Sequence, residues 1–267
     1  MSLLRVQDLQ KSFGAHRAVQ GLSFSLEAGE MLALIGPNGA GKSTTFNMLN
    51  GQIRPDHGQI EFKGKSLIGL GARQTWQLGV SRTFQIAQTF GSLSLAENVQ
   101  MALICKDHQL FSFWPRAHDF KRDEAMALLR QVELHHMADK ACSALAYGDI
   151  KRLELAQALA NEPTLLLMDE PTAGMGPLER KNLMALVKEL VLERGRSSRG
   201  LAVLFTEHSM DVVFGFADRV LVMSAGALIA EGTVEEIKAN ERVQALYFGY
   251  KSALDPARTS STGVLQA

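Results

Sequence analysis

Leu32-Ala33-Leu34-Ile35-Gly36-Pro37-Asn38-Gly39-Ala40-Gly41-Lys42-Ser43-Thr44-Thr45 opens as an apolar run and ends in a string of hydroxyls. From Gly36 to Ser43 it fits the phosphate-binding pattern G-x-x-x-x-G-K-[ST] without a gap. Gly36, Gly39 and Gly41 allow turn conformations that a side chain would block. Backbone N–H groups can then converge on phosphate oxygens where a helix begins, and the helix dipole adds to the attraction. In this pattern Lys42 reaches the β- and γ-phosphates and the Ser43 hydroxyl ligates Mg²⁺. The run MLALI before the loop suits a strand buried on both faces, and STTFNMLNG after it suits a helix. The stretch therefore predicts a strand–loop–helix unit that binds a nucleoside triphosphate, with Mg²⁺.

A second apolar run, Leu165-Leu166-Leu167-Met168, stops at Asp169-Glu170-Pro171. Apolar residues without alternation, ending in carboxylates, describe a buried parallel strand whose carboxyl end opens into a site. Asp169 is placed to hold Mg²⁺ through water, and Glu170 to orient or deprotonate the water that attacks the γ-phosphate. A third buried run, Leu201–Phe205, ends in Thr206-Glu207-His208. On its own a histidine there is as well explained by structure. Beside the other two motifs, His208 is a candidate hydrogen-bond donor to the γ-phosphate.

Upstream, LLRVQDL (residues 3–9) and LSFSL (22–26) alternate as half-buried antiparallel strands do, and GQIEF (58–62) follows a turn at Pro55–Gly58. Phe13 lies between the first two strands; it either stacks on a purine base or packs at a strand end, and spacing does not choose. LAYGDIKR (145–152) precedes LELAQALANEP, which places Leu153, Ala156, Leu159 and Ala160 on one helical face.

The chain has 267 residues, 46% of them hydrophobic, enough for one large domain or a domain with a subdomain. Its 28 basic and 28 acidic residues cancel, so no global field draws it to nucleic acid or anionic lipid. Cys105 and Cys142 show no paired spacing and are expected as reduced, buried or half-buried thiols. The opening MSLLRVQDLQKS lacks the apolar core of a secretion signal. No window nears the about 18 uninterrupted apolar residues of a membrane span.

Taken together, GPNGAGKST, LLLMDEP and LAYGDIKRLELAQAL resemble the ATP-binding subunits of ABC transporters, and the last looks like the signature variant of the branched-chain (hydrophobic) amino acid uptake group. The resemblance runs over residues 3–250 and implies an α/β fold. It implies a P-loop NTPase (RecA-like) core with an antiparallel β subdomain and a helical insertion at about residues 86–157. It implies a cassette over residues 1–250 and leaves 251–267, rich in Ser, Thr, Ala and Pro, as a disordered tail. ATP would be held by Gly36, Pro37, Asn38, Gly39, Ala40, Gly41, Lys42, Ser43 and Thr44, with Phe13 stacked on adenine. Gln85 would sense the γ-phosphate and Mg²⁺. In a head-to-tail dimer Tyr147 and Gly148 would face the ATP of a second ATP-binding subunit. His208 matches the switch histidine. The implied partners are transmembrane permease subunits and, acting through them, a solute-binding protein, with this subunit peripheral at the cytoplasmic face of the inner membrane.

The chain departs from the family pattern in three places. Ala146-Tyr147 stands where many relatives have Ser-Gly, so a phosphate-contacting hydroxyl is missing. Asp149-Ile150-Lys151 replaces a glutamine-rich run. Gly176 occupies a place where Asp or Asn makes a bridge between subunits, which predicts looser cross-talk between the two sites. Ala87–Leu95 is the expected contact with the permease. Phe111, Phe113 and Trp114 either form a docking surface or pack within the helical part. Residues 211–214 and 234–247 read as peripheral helices, and 194–200 as a polar hinge. The main alternative is the ATPase of a lipid or polysaccharide exporter, whose cassette is similar. A translation ATPase would carry two cassettes, a DNA-repair relative a long coiled coil, and a P-loop kinase would lack residues 145–152.

Overall fold

Three of the apolar runs form adjacent strands at the centre of a six-stranded sheet. In the computed structural model, which describes residues 2–83, 89–106, 121–195 and 200–248, the strands are β1 (Leu4–Phe13), β2 (His16–Leu26), β3 (Met31–Ile35), β4 (His57–Phe62), β5 (Lys65–Ser66), β6 (Val80–Thr83), β7 (Leu165–Asp169), β8 (Ala202–Thr206), β9 (Arg219–Ser224) and β10 (Ala227–Gly232). The larger sheet has the order β10-β9-β3-β8-β7-β6. It is parallel throughout except for β10, which pairs antiparallel with β9.

Strand periodicity explains why these runs are apolar without alternation. Met31, Ala33, Ile35, Leu166, Met168, Val203 and Phe205 point to one face of the sheet and share a core with the helices packed there. Leu32, Leu34, Leu165, Leu167 and Leu204 point to the other face and pack with Phe46, Leu49 and the antiparallel sheet. A strand covered on both faces has no position at which a polar side chain is cheap.

The helices are α1 (Lys42–Leu49), α2 (Ala72–Gln77), α3 (Leu95–Lys106), α4 (Arg122–Gln131), α5 (Tyr147–Leu159), α6 (Pro177–Arg194), α7 (Met210–Phe216), α8 (Val234–Ala239) and α9 (Glu241–Phe248). α3, α4 and α5 pack on one another, and α5 also meets β6 and α6. Leu153, Ala156 and Leu159 of α5 and Ala160 just past its end are all buried, as the helical spacing predicts.

The second sheet, β2-β1-β4-β5, is antiparallel. Its first two strands run longer than alternation suggests, because the hairpin end between Gln10 and Gly21 carries mostly exposed polar residues and gives no period-two signal. Asp56 fastens the turn before β4 to this hairpin, accepting hydrogen bonds from Ser12 N (2.7 Å) and Lys11 Nζ (2.7 Å). The expected helix over 234–247 is two helices. Asn240 Oδ1 accepts from the N–H groups of Arg242 (3.0 Å) and Val243 (3.3 Å) and starts a new helix there. Cys142 is buried as expected, whereas Cys105 is exposed, and both are free thiols. Gln85, Ala87, the aromatic segment Phe111–Trp114, the middle of the 194–200 segment and the tail from 251 lie outside the described residues.

Candidate functional site

The carboxyl ends of β3, β7 and β8 converge on one site. After β3 the chain turns through Gly36–Gly41 into α1. A Cβ at Gly36 would lie 2.2 Å from the Met223 carbonyl oxygen, and one at Gly41 would lie 2.3 Å from that of Ala18, with φ at +101°. These two glycines are thus fixed by a close backbone approach from β9 and β2. α1 has no acidic residue in its first turn, so the positive end of its dipole is left uncompensated. Ser43 is exposed and Thr44 half-buried at that end. Lys42 is buried, and its ammonium donates to the carbonyls of Gly36 (2.7 Å) and Pro37 (3.1 Å). Burial pushes its pKa below the ordinary lysine value, while the nearby Glu170 and Asp169 carboxylates pull it back up.

Asp169 closes β7. Its Oδ1 accepts from the Thr206 hydroxyl (2.8 Å) and its Oδ2 from Arg82 (2.8 Å). A carboxylate oxygen has two acceptor positions, so each has one beyond these bonds. Glu170 follows with φ +48°, a left-handed conformation that costs a non-glycine residue about 1 kcal/mol. Its N–H is held by Thr206 through the backbone oxygen (3.2 Å) and the hydroxyl (3.0 Å). Glu170 Oε1 meets His208 Nε2 at 2.8 Å. A carboxylate only accepts, which assigns the proton in that contact to Nε2.

Lys42, Asp169, Glu170 and His208, named from sequence, are therefore neighbours. Phe13, half exposed, sits at the tip of the β1–β2 hairpin with Lys11 Nζ 5.6 Å from its ring centre. The same hairpin passes the phosphate loop at Ala18 and Val19. Tyr147 and Gly148 open α5. The exposed Tyr147 ring lies against Gly174, where a Cβ would sit 3.5 Å from Cε1. Gly148 could carry a Cβ, whose nearest neighbour would be Met175 Cε at 3.4 Å, so packing within the chain does not demand glycine there. Gln85 is outside the described residues.

Arg82 and Thr206 escaped the sequence reading. Arg82 is the one cation in β6, and besides Asp169 it donates to Asn47 (2.6 Å) and Gln52 (3.3 Å) and lies 5.7 Å from the Phe46 ring centre. An arginine in a buried strand, three residues before Gln85, was the available signal. The donors also suit Mg²⁺: one exposed hydroxyl and one carboxylate with free acceptor positions leave room for the several waters this ion keeps.

A phosphate loop at a helix start, with two strand-end carboxylates and a histidine in contact, defines a P-loop ATPase. The chain belongs to the ATP-binding subunits of ABC transporters: residues 19–173 match the family described as ABC transporter. Residues 227–251 match the one described as Branched-chain amino acid ATP-binding cassette transporter. It is 38% identical over 258 residues to the high-affinity branched-chain amino acid transport ATP-binding protein LivG of Escherichia coli (strain K12), covering 92% of this chain and 98% of that one. It is 35% identical over 256 residues to BraF of Pseudomonas aeruginosa, which carries the same description, covering 92% and 98%. Among solved structures it resembles an ATP-binding cassette of an ABC transporter in its ADP conformation (TM-score 0.82, 29% identity, 93% of this chain and 99% of that one). A nucleotide-free ATP-binding cassette gives a TM-score of 0.81 at 28% identity, over 92% and 99%.

Proposed function

We propose that this chain is the ATP-hydrolysing motor of an importer for branched-chain amino acids or related small polar solutes such as urea and amides. The observation that carries the reading is the 2.8 Å contact between Glu170 and His208 beside Lys42. The loop from Gly36 to Thr44 binds the phosphates through its N–H groups and Lys42, and Phe13 stacks on adenine. Glu170 orients the attacking water and takes its proton, and the His208 Nε2–H that Glu170 holds is the donor that would turn to the γ-phosphate. Ser43, Asp169 through water, and Gln85 would hold Mg²⁺, which when bound neutralises charge on the phosphates.

The cassette spans residues 1–250, with the helical part, about 86–157, centred on α3, α4 and the start of α5. Two copies, or this chain and a paralogous subunit, close head to tail so that Tyr147 and Gly148 complete the partner's ATP site. The exposure of Tyr147 and the room around Gly148 support this. Among the described residues no helix is long and apolar enough to cross a membrane, so the transport path belongs to separate permease subunits. These would dock at the segment Ala87–Leu95, directly after Gln85. A solute-binding protein acts through the permease, and the subunit sits peripherally on the cytoplasmic face of the inner membrane.

The test is uptake of labelled leucine, urea and a short amide in cells carrying wild-type chain or Glu170→Gln with the native membrane partners. Selective loss of one uptake in the mutant names the cargo. Loss of none would contradict import of these solutes and turn the reading toward a lipid or polysaccharide exporter.

A further inference from the structure

The ladder between β7 and β8 ends at the pair Asp169–Thr206. Beyond it Glu170 N still bonds Thr206, and one carboxylate ties the next residues of the two segments together. Glu207 is 4% exposed. Its Oε1 accepts from Thr172 N (2.9 Å) and Thr172 Oγ1 (2.7 Å), and its Oε2 accepts from His208 N (3.2 Å). Thr172 is itself buried, two residues after Glu170. All three donors are neutral, and among the described residues no cation pairs with Glu207. A buried carboxylate without a cation is costly, and here three hydrogen bonds offset that cost.

We infer that Glu207 is a positioning residue for hydrolysis: its carboxylate braces the segment after Glu170 against the segment that starts at His208, and so holds the pair in register. The inference rests on the roles proposed above for Glu170 and His208. The brace touches neither the phosphate loop nor Phe13, so it acts on turnover and not on nucleotide affinity. An error of about 1 Å in placing a catalytic group can cost about a hundredfold in rate. The brace continues outward as well, since Thr172 O accepts from Met175 N (3.2 Å) and Gly174 lies under the Tyr147 ring.

The test compares Glu207→Gln, Thr172→Val, Thr172→Ser and the Glu207→Gln/Thr172→Val double variant in steady-state ATP hydrolysis, with affinity for a fluorescent ATP analogue measured separately. Gln cannot accept at all three donors, and Val removes the hydroxyl at nearly constant volume, whereas Ser keeps both Thr172 bonds. Glu207→Gln and Thr172→Val should each lower kcat at least about tenfold, with KM for ATP and analogue affinity within about twofold of wild type. Thr172→Ser should stay near wild type, and the double variant should be little worse than the poorer single. Wild-type kcat in both single variants, an equal loss of analogue affinity, or losses that multiply in the double variant would overturn the brace. If Glu207→Gln fails to fold, the Val and Ser variants at Thr172 decide the matter alone. Glu170→Gln run in parallel separates the two levels. An inactive Glu170→Gln beside fully active brace variants refutes only the brace, and an active Glu170→Gln refutes the proposed roles themselves.

Discussion

Replacing Arg82 with Met removes the guanidinium and keeps an unbranched stem beside Phe46. Arg82 and Asp169 side chains are 9% and 13% exposed, so water screens their 2.8 Å ion pair poorly. Removing one partner of a buried pair costs about 3–5 kcal/mol, because the other charge stays behind. Here Asp169 retains the Thr206 hydroxyl, and Asn47 and Gln52 lie close enough to the surface to recruit water. We therefore expect a loss of about 2–3 kcal/mol. At about 2–4 °C per kcal/mol for a protein of this size, that is a Tm lower by about 4–12 °C. Urea unfolding of nucleotide-free protein measures it without contributions from ligand binding. The same substitution in an Asp169→Asn background should cost less than half as much, since the charge it abandons is gone. A loss below about 0.5 kcal/mol, the range of ordinary surface changes, would refute the reasoning. So would an equal loss in both backgrounds.

Other outcomes follow from the same geometry. Gly41→Ala places a Cβ 2.3 Å from the Ala18 carbonyl oxygen at φ +101°, so affinity for a fluorescent ATP analogue should fall at least about tenfold, and unchanged affinity would contradict the cradle. Thr206→Val removes the hydroxyl that bonds both Asp169 and the Glu170 N–H; kcat should fall about tenfold, checked by steady-state hydrolysis. Burial pushes the Tyr247 pKa from 10.0 to about 12. The folded value is the higher one, so the stability this group contributes is present below pH 10 and is lost as pH rises to about 12. Its buried hydroxyl has no hydrogen-bond partner among the described residues, so Tyr247→Phe should leave stability unchanged or slightly raised and delete from an ultraviolet titration a phenol that ionises near pH 12.

The sequence disclosed what is local. The phosphate loop is contiguous, and its glycines, lysine and hydroxyl each answer to one contact with phosphate or metal. β3, β7 and β8 were visible because burial on both faces removes every polar residue up to the strand end. The ties between these segments were not visible. Arg82 grips Asp169 across 87 positions and Thr206 reaches it across 37, and no periodicity marks such partners. The polar half of the β1–β2 hairpin went unread because alternation requires one buried face. Asn240 looked like one more polar residue in a helix, yet it lies between two helices and its side chain starts the second.

The most direct test of the account is ATP turnover by Glu170→Gln, with the oligomeric state followed by light scattering in MgATP. The account predicts a rate at least about a hundredfold below wild type, in the range expected for loss of a general base, and a dimer that persists as long as ATP is present. Turnover within about twofold of wild type would contradict it, because a group that orients and deprotonates the attacking water cannot be replaced by an amide without loss of rate.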